Sequence, residues 1–222
     1  MQPFVHRLAA ALSAAARGDF PEADGIIEVL PPPPGRAMAV VAFTAHYLIA
    51  TSAPEDWVRA ALAPDGLLAP MSPRFLTTLG DELDRRDDGI DLLLAASGLG
   101  GRSTLREIAV EEQERPRVSR ARAQRENVRV FTDPTNAATV ILGRGLAERT
   151  EVAIEITPNR RNQGVARQAL TEARRLAGTD QLLFAHTAPG NAASIRAFLT
   201  AGFRPIGSEV LFFPEPRPTG LN

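Results

Sequence analysis

The sequence predicts an α/β protein in two parts, a smaller module over residues 1–100 and a larger one over residues 101–222. Three features carry this expectation. Glu151 to Ile156 alternates polar with apolar residues and puts Val152, Ile154 and Ile156 on one face, as in a half-buried strand. The period then changes: Ala166, Ala169, Leu170, Ala173, Leu176 and Ala177 recur at helical spacing until Gly178 supplies a stop. Between the two parts, Ser97-Gly98-Leu99-Gly100-Gly101 reads as the domain boundary. It is short, so the parts should pack together.

In chain order, Phe4, Leu8, Leu12 and Ala15 mark an amphipathic helix. Gly18 to Pro21 turns the chain into a strand over Gly25–Leu30, and Pro31 to Gly35 makes a stiff connection. Ala37–Ala50 reads as one longer strand. Ser52 with Glu55 forms a capping box for a helix carrying Trp57, Val58 and Leu62, with Pro54 in its first turn. Ser72-Pro73 opens a second helix with Phe75, Leu76, Leu79 and Leu83 on its face. After the turn at Asp88-Gly89, Ile90–Ala96 is a buried strand.

Beyond the boundary, Leu105–Val110 is a strand. Glu111, Glu112 and Glu114 precede Arg115, Arg117, Arg120, Arg122 and Arg125, an order that suits the dipole of a solvated helix. No aromatic residues interleave with these arginines, which argues against a nucleic-acid surface. Val128–Phe131 and Ala138–Leu142 form a hairpin around Asp133-Pro134-Thr135-Asn136. Gly143-Arg144-Gly145 precedes a strand, so it fails the context of a dinucleotide-binding motif. Leu182–Ala185 is a strand, and Asn191 caps a helix with Ile195, Phe198 and Leu199 inward. Phe203–Ile206 and Val210–Phe213 make a last pair of strands, before a Pro-rich tail from Pro214.

Composition excludes several functions. The 222 residues carry a net charge of −1, so bulk electrostatics point to no nucleic-acid or membrane partner. All 25 basic residues are arginine. With no cysteine there is no disulfide, thiolate metal site or cysteine nucleophile. No apolar run approaches the ~20 residues that span a bilayer. Leu8–Ala16 mimics a signal peptide, but its helical periodicity suits core packing better. A cytoplasmic protein is expected.

The chemistry concentrates at Arg161-Asn162-Gln163-Gly164-Val165-Ala166. A strand runs through this short basic turn into a helix, so free backbone N–H groups converge and the helix dipole adds positive charge. Such a turn suits a phosphate or pyrophosphate. Arg161, Gly164 and Ala166 resemble the acyl-CoA pyrophosphate loop of the GNAT superfamily of N-acyltransferases. A second signature follows at Asn191, Ser194, Phe198 and Gly202-Phe203. The resemblance spans roughly residues 102–213. It implies a mixed, mostly antiparallel sheet flanked by helices. The preceding module could be a degenerate copy of the same fold, though it lacks a pyrophosphate turn.

The resemblance further implies an acetyl-CoA-dependent N-acetyltransferase, with an amine acceptor and no metal. The backbone of Asn162–Ala166 would take the pyrophosphate, assisted by Arg161 and Gln163. The pantetheine would lie between splayed strands against Ile154 and Ile156, with Asn191 and Ser194 lining the groove. Family members often carry a catalytic carboxylate on this strand. Glu155 ranks first as base and Glu151 second, the alternative for each being a solvated face or a structural ion pair. Many members have tyrosine where Phe198 stands, so Ser194, water or another group must protonate the thiolate, or turnover is slow, or the domain binds CoA without catalysis. The first module would supply part of the acceptor site or a homodimer contact.

Overall fold

The structure, a computed structural model, describes residues 5–62, 66–109 and 116–214. Phe4, the acidic run Glu111–Glu114 with Arg115, and the tail after Pro214 lie outside the described residues.

Helix α1 (Arg7–Arg17) buries Leu8, Ala11, Leu12 and Ala15 and ends at Gly18, whose φ of 95° is left-handed. Strands β1 (Ile27–Leu30), β2 (Met38–Phe43) and β3 (His46–Ala50) precede helices α2 (Glu55–Leu62) and α3 (Pro73–Leu83). The Ser72 side chain accepts from the Phe75 N–H and Pro73 fills the first turn of α3, as the sequence predicts. Then come β4 (Arg85–Asp87), β5 (Asp91–Ser97), β6 (Arg106–Ile108), α4 (Pro116–Gln124), β7 (Glu126–Thr132) and β8 (Ala138–Arg144). The chain closes with β9 (Thr150–Ile156), α5 (Val165–Ala177), β10 (Leu182–Thr187), α6 (Ala192–Thr200) and β11 (Arg204–Pro214).

All strands join one 11-stranded sheet in the order β1-β3-β2-β11-β5-β10-β9-β8-β7-β6, with β4 on β11. It is mixed and mostly antiparallel; β1 with β3 and β9 with β10 are the parallel pairs. The sheet crosses the boundary expected near residue 100, because β5 lies between β10 and β11. The linker is packed rather than loose. Gly98 donates to Gln181 O at 2.8 Å, and a Cβ on it would sit 1.7 Å from Gly178 O. Glycine here permits close backbone approach rather than flexibility.

Helices cover both faces of the sheet. On one, α1 packs on Val41, Leu48, Leu93 and Phe184, and α4 packs on Val130 and Ile141. On the other, α2 and α3 pack on Val40, Ile49, Val210 and Phe212, while α5 and α6 pack on Leu94, Val140, Val152 and Leu183.

Several local expectations change. Residues 37–50 form the β2–β3 hairpin, turned at Thr44-Ala45 with Ala45 at φ 50° and no glycine or proline to signal it. Residues 204–214 form one strand with a bulge between Pro205 and Gly207. A Cβ on Gly207 would stand 2.4 Å from Ala42 O, so this glycine admits β2 and does not break the strand. Ser52 contacts the Met38 sulfur instead of capping α2. Leu199 is exposed, and only Phe198 of α6 is fully buried.

Candidate functional site

β9 and β10 share one register pair, Phe184 with Glu151, and part beyond it. β9 stays paired to β8 as far as Ile156, and β10 to β5 as far as Thr187. The sheet therefore opens between the C-terminal ends of two neighbouring strands.

Just past the open end, Asn162 at φ 59° and Gly164 at φ 77° turn the chain into α5. The first backbone bond of the helix runs from Gln168 N to Gly164 O, at 3.2 Å. Among the described residues, the backbone N–H groups of Asn162 to Arg167 have no acceptor. A Cβ on Gly164 would have nothing within 4 Å, so the space before the turn is open. Successive unpaired N–H groups at a helix start make an anion cradle. Arg161 has no side-chain partner among the described residues, and its charge lies beside the cradle.

Two cavities flank the gap. One, of about 650 Å³, runs from this turn along Ile154 and Ile156 to Asn191 and Ser194 of the α6 start. The other, of about 520 Å³, lies on the α4 face and is lined by Asp88, Asp91, Gln124, Arg125, Ala153 and His186 among others. Glu155, Arg117, Arg161 and Asn191 line both. Asn191 also caps α6, accepting from Ser194 N at 3.1 Å.

The two candidate bases have opposite surroundings. Glu155 stands at the junction of the cavities, and its Oε2 is buried without a hydrogen-bond partner. Glu151 lines neither cavity and is 2% exposed. It accepts from Arg125 Nε at 2.7 Å and from Arg149 Nε at 2.8 Å. Burial alone would raise its pKa, but the charges of Arg149 and Arg125 outweigh burial and hold the carboxyl well below the usual range. A carboxylate so tightly held is a poor proton acceptor, and Glu151 is therefore a structural ion-pair residue rather than a base. Gln163 also departs from expectation. Its side chain donates to Asn159 O and accepts from Arg160 Nε, bracing the turn, and it lines neither cavity.

The Glu151 pairs extend into a chain of buried charge. Arg149 grips Glu209 of β11 with two bonds of 2.7 and 2.6 Å. Arg125 reaches His186 Nε2 at 3.2 Å, and His186 Nδ1 meets Asp91 at 2.9 Å. Because a guanidinium only donates, Nε2 accepts and Nδ1 carries the proton toward Asp91. His186 is thus occupied at both nitrogens.

Arg125 is the residue that sequence reasoning missed. The charge order reads it as part of a solvated helix, yet it is 6% exposed, just past the end of α4. The overlooked signal lies in Gly143-Arg144-Gly145. A Cβ on Gly143 would be 3.0 Å from the Arg125 Cβ, and one on Gly145 would be 2.3 Å from the Glu151 carboxyl. These glycines make room for the ion pair.

Residues 105–203, a little under half of the chain, match the sequence model described as Acetyltransferase (GNAT) family. No curated protein matches the chain significantly. Solved structures are similar at low identity. An acetyltransferase of the GNAT family from Colwellia psychrerythraea aligns at TM-score 0.43 and 11% identity, over 75% of each chain. A GCN5-related N-acetyltransferase from Kribbella flavida aligns at TM-score 0.41 and 20% identity, over 66% of each chain. A putative GNAT acetyltransferase from Novosphingobium aromaticivorans aligns at TM-score 0.41 and 17% identity; the match covers 58% of this chain and 66%, just under two thirds, of that one.

Proposed function

We propose that the chain is an acetyl-CoA-dependent N-acetyltransferase that transfers an acetyl group directly to a primary amine in a ternary complex. The observation that carries this reading is the meeting of two cavities, one on each face of the sheet, at the gap where Glu155 lines both. A cofactor on one side and an amine on the other would meet there, held close enough to react.

The cradle of Asn162–Ala166 would hold the pyrophosphate by backbone N–H groups, with Arg161 beside it. Ile154 and Ile156 would flank the pantetheine in the gap, and Asn191 and Ser194 would close its far wall. Acetyl-CoA supplies the activated acetyl thioester. Glu155 would take a proton from the amine as its nitrogen attacks. Glu155 lines both cavities, and its buried Oε2 has no hydrogen-bond partner among the described residues. The Ser194 hydroxyl lines the same cavity and has no partner among the described residues, so it can protonate the departing thiolate. The first part of the chain would help form the acceptor site through Asp88 and Asp91. Among the described residues no helix is long and apolar enough to cross a membrane. A cytoplasmic location goes with this reading.

One observation favours a second reading, a non-catalytic acyl-CoA-binding module. Phe198 has no hydroxyl and is buried edge-on against Phe203, with ring centroids 5.1 Å apart.

Thermal unfolding with and without acetyl-CoA tests both readings. Ligand at about a hundred times its dissociation constant adds roughly 2.7 kcal/mol to the native state. The expected result is a shift of several degrees, lost in a folded Gly164→Trp variant whose indole fills the cradle. No shift at millimolar ligand overturns both readings. A shift without acetyl transfer to any amine of a broad panel selects the second.

A further inference from the structure

The larger cavity, on the cofactor side, is one-sided in charge. Among the described residues, Arg117, Arg160, Arg161, Arg167 and Arg196 line it, with Glu155 as the one acid. Several exposed arginines elsewhere pair with carboxylates, as Arg59 does with Glu55, Arg129 with Glu107 and Arg144 with Glu126. Here Arg117, Arg161, Arg167 and Arg196 are exposed, and their side chains have no hydrogen-bond or ion-pair partner among the described residues. Like charges gathered in a cleft repel one another and attract a polyanion.

These arginines divide by place. Arg117 and Arg161 also line the smaller cavity, so they stand at the junction with Glu155. Arg160 is bonded to Gln163. Arg167 and Arg196 line the larger cavity and not the smaller. Arg167 is the third residue of α5, next after the Asn162–Ala166 cradle. Arg196 belongs to α6, which lines the cavity from Ala193 through Ala197 to Thr200 at helical spacing. From Asn191 to Thr200 the helix advances about 13 Å. The cavity therefore continues along α6, flanked from two helices by Arg167 and Arg196.

We propose that Arg167 and Arg196 bind the 3′-phosphate on the adenosine of CoA, and that the site selects the phosphorylated cofactor over 3′-dephospho-CoA. This rests on the acetyl-CoA reading above and extends it beyond the pyrophosphate. CoA carries its pyrophosphate in mid-chain and a phosphate monoester at the end opposite the thiol. The cradle N–H groups and Arg161 answer the pyrophosphate. The monoester brings a further charge of about −1.5 to −2 near neutral pH, which two guanidinium groups offset. Their planar N–H forks match its oxygens. Ala193 and Ala197 are small, and they leave room for the adenosine to lie along α6.

The test uses the full chain and measures the dissociation constants of CoA and 3′-dephospho-CoA by titration calorimetry. Hydrogen bonds to a charged phosphate predict CoA binding about 10- to 100-fold tighter than the dephosphorylated form. Equal affinities overturn this proposal and leave the acetyltransferase reading standing, since the pyrophosphate is common to both ligands. Binding of neither ligand removes the underlying reading and the proposal together. Arg167→Gln and Arg196→Gln should each narrow the ratio of the two constants, and the double variant should bring it near 1. A ratio unchanged in the double variant, with both ligands weakened alike, would make these arginines a general attraction for anions, and the proposal would fall. Both side chains are exposed, and the ratio in the unaltered chain decides if a variant does not fold.

Discussion

Glu151 and Glu155 occupy the same face of one strand, four residues apart, and the sheet gives them different lives. At Glu151 the strands β9 and β10 are still joined, and two arginines reach the carboxylate. At Glu155 the strands have parted, and a carboxylate oxygen is left without a partner between two cavities. One end of the pair is closed and saturated; the other is open and unsatisfied. Whether a carboxylate builds or reacts is decided here by whether the neighbouring strand has diverged, since the residue type and the side of the sheet are the same.

Exchanging each glutamate for glutamine should separate the two ends. The largest effect is expected from Glu155→Gln on turnover. Removing a general base costs about 10²- to 10⁴-fold in kcat, and acetyl-CoA affinity should stay within about twofold. A variant with undiminished kcat would close the comparison by making both glutamates structural. Glu151→Gln should act on stability. Breaking a buried ion pair costs about 3–5 kcal/mol, read as a fall of about 10 °C in Tm. An unchanged Tm would show that the closed end is not held by charge.

Acidity sharpens the same contrast. The folded pKa of Glu151 lies below its ordinary value of 4.5. Its contribution to stability is therefore fully present above that value and is lost as pH falls toward the lowered folded value. From about pH 6 to pH 3 the unaltered chain should lose stability more steeply than Glu151→Gln, as followed by denaturant titration at each pH. The smallest effect is expected from Gly145→Ala. Its methyl group would press on the Glu151 carboxyl, as overpacking worth about 1–3 kcal/mol. Turnover per folded molecule should survive that change if the open end works independently.

The open end was far more legible in the sequence than the closed one. Arg161 to Ala166 lies between a strand and a helix, and both can be recognised from local periodicity. The cradle depends on backbone geometry that Gly164 announces. Asn191 is legible for the same reason, as a cap. Nothing local marks Arg125, one arginine in a run of them, because its burial depends on Glu151, which lies 26 residues further on. Gly143 and Gly145 signalled close packing, but their partners were invisible without the tertiary structure. The β2–β3 turn was missed because Ala45 adopts a positive φ that alanine rarely takes. Gly207 was misread because a glycine in a strand can mean a break or a close neighbour, and only the neighbour distinguishes them.

The position of β5 has a consequence for how the chain is made. Its apolar stretch Leu92–Ala96 leaves the ribosome about ninety residues before β10 and about a hundred and ten before β11, the strands on its two sides. Until those arrive both of its edges are bare, the condition in which nascent chains stick to one another. A cut in the Gly98–Gly101 linker should therefore not release two proteins that fold by themselves. Fragments 1–100 and 101–222, produced separately, should aggregate or stay unstructured, and produced together they should reassemble, the first half donating the strand without which the second cannot close.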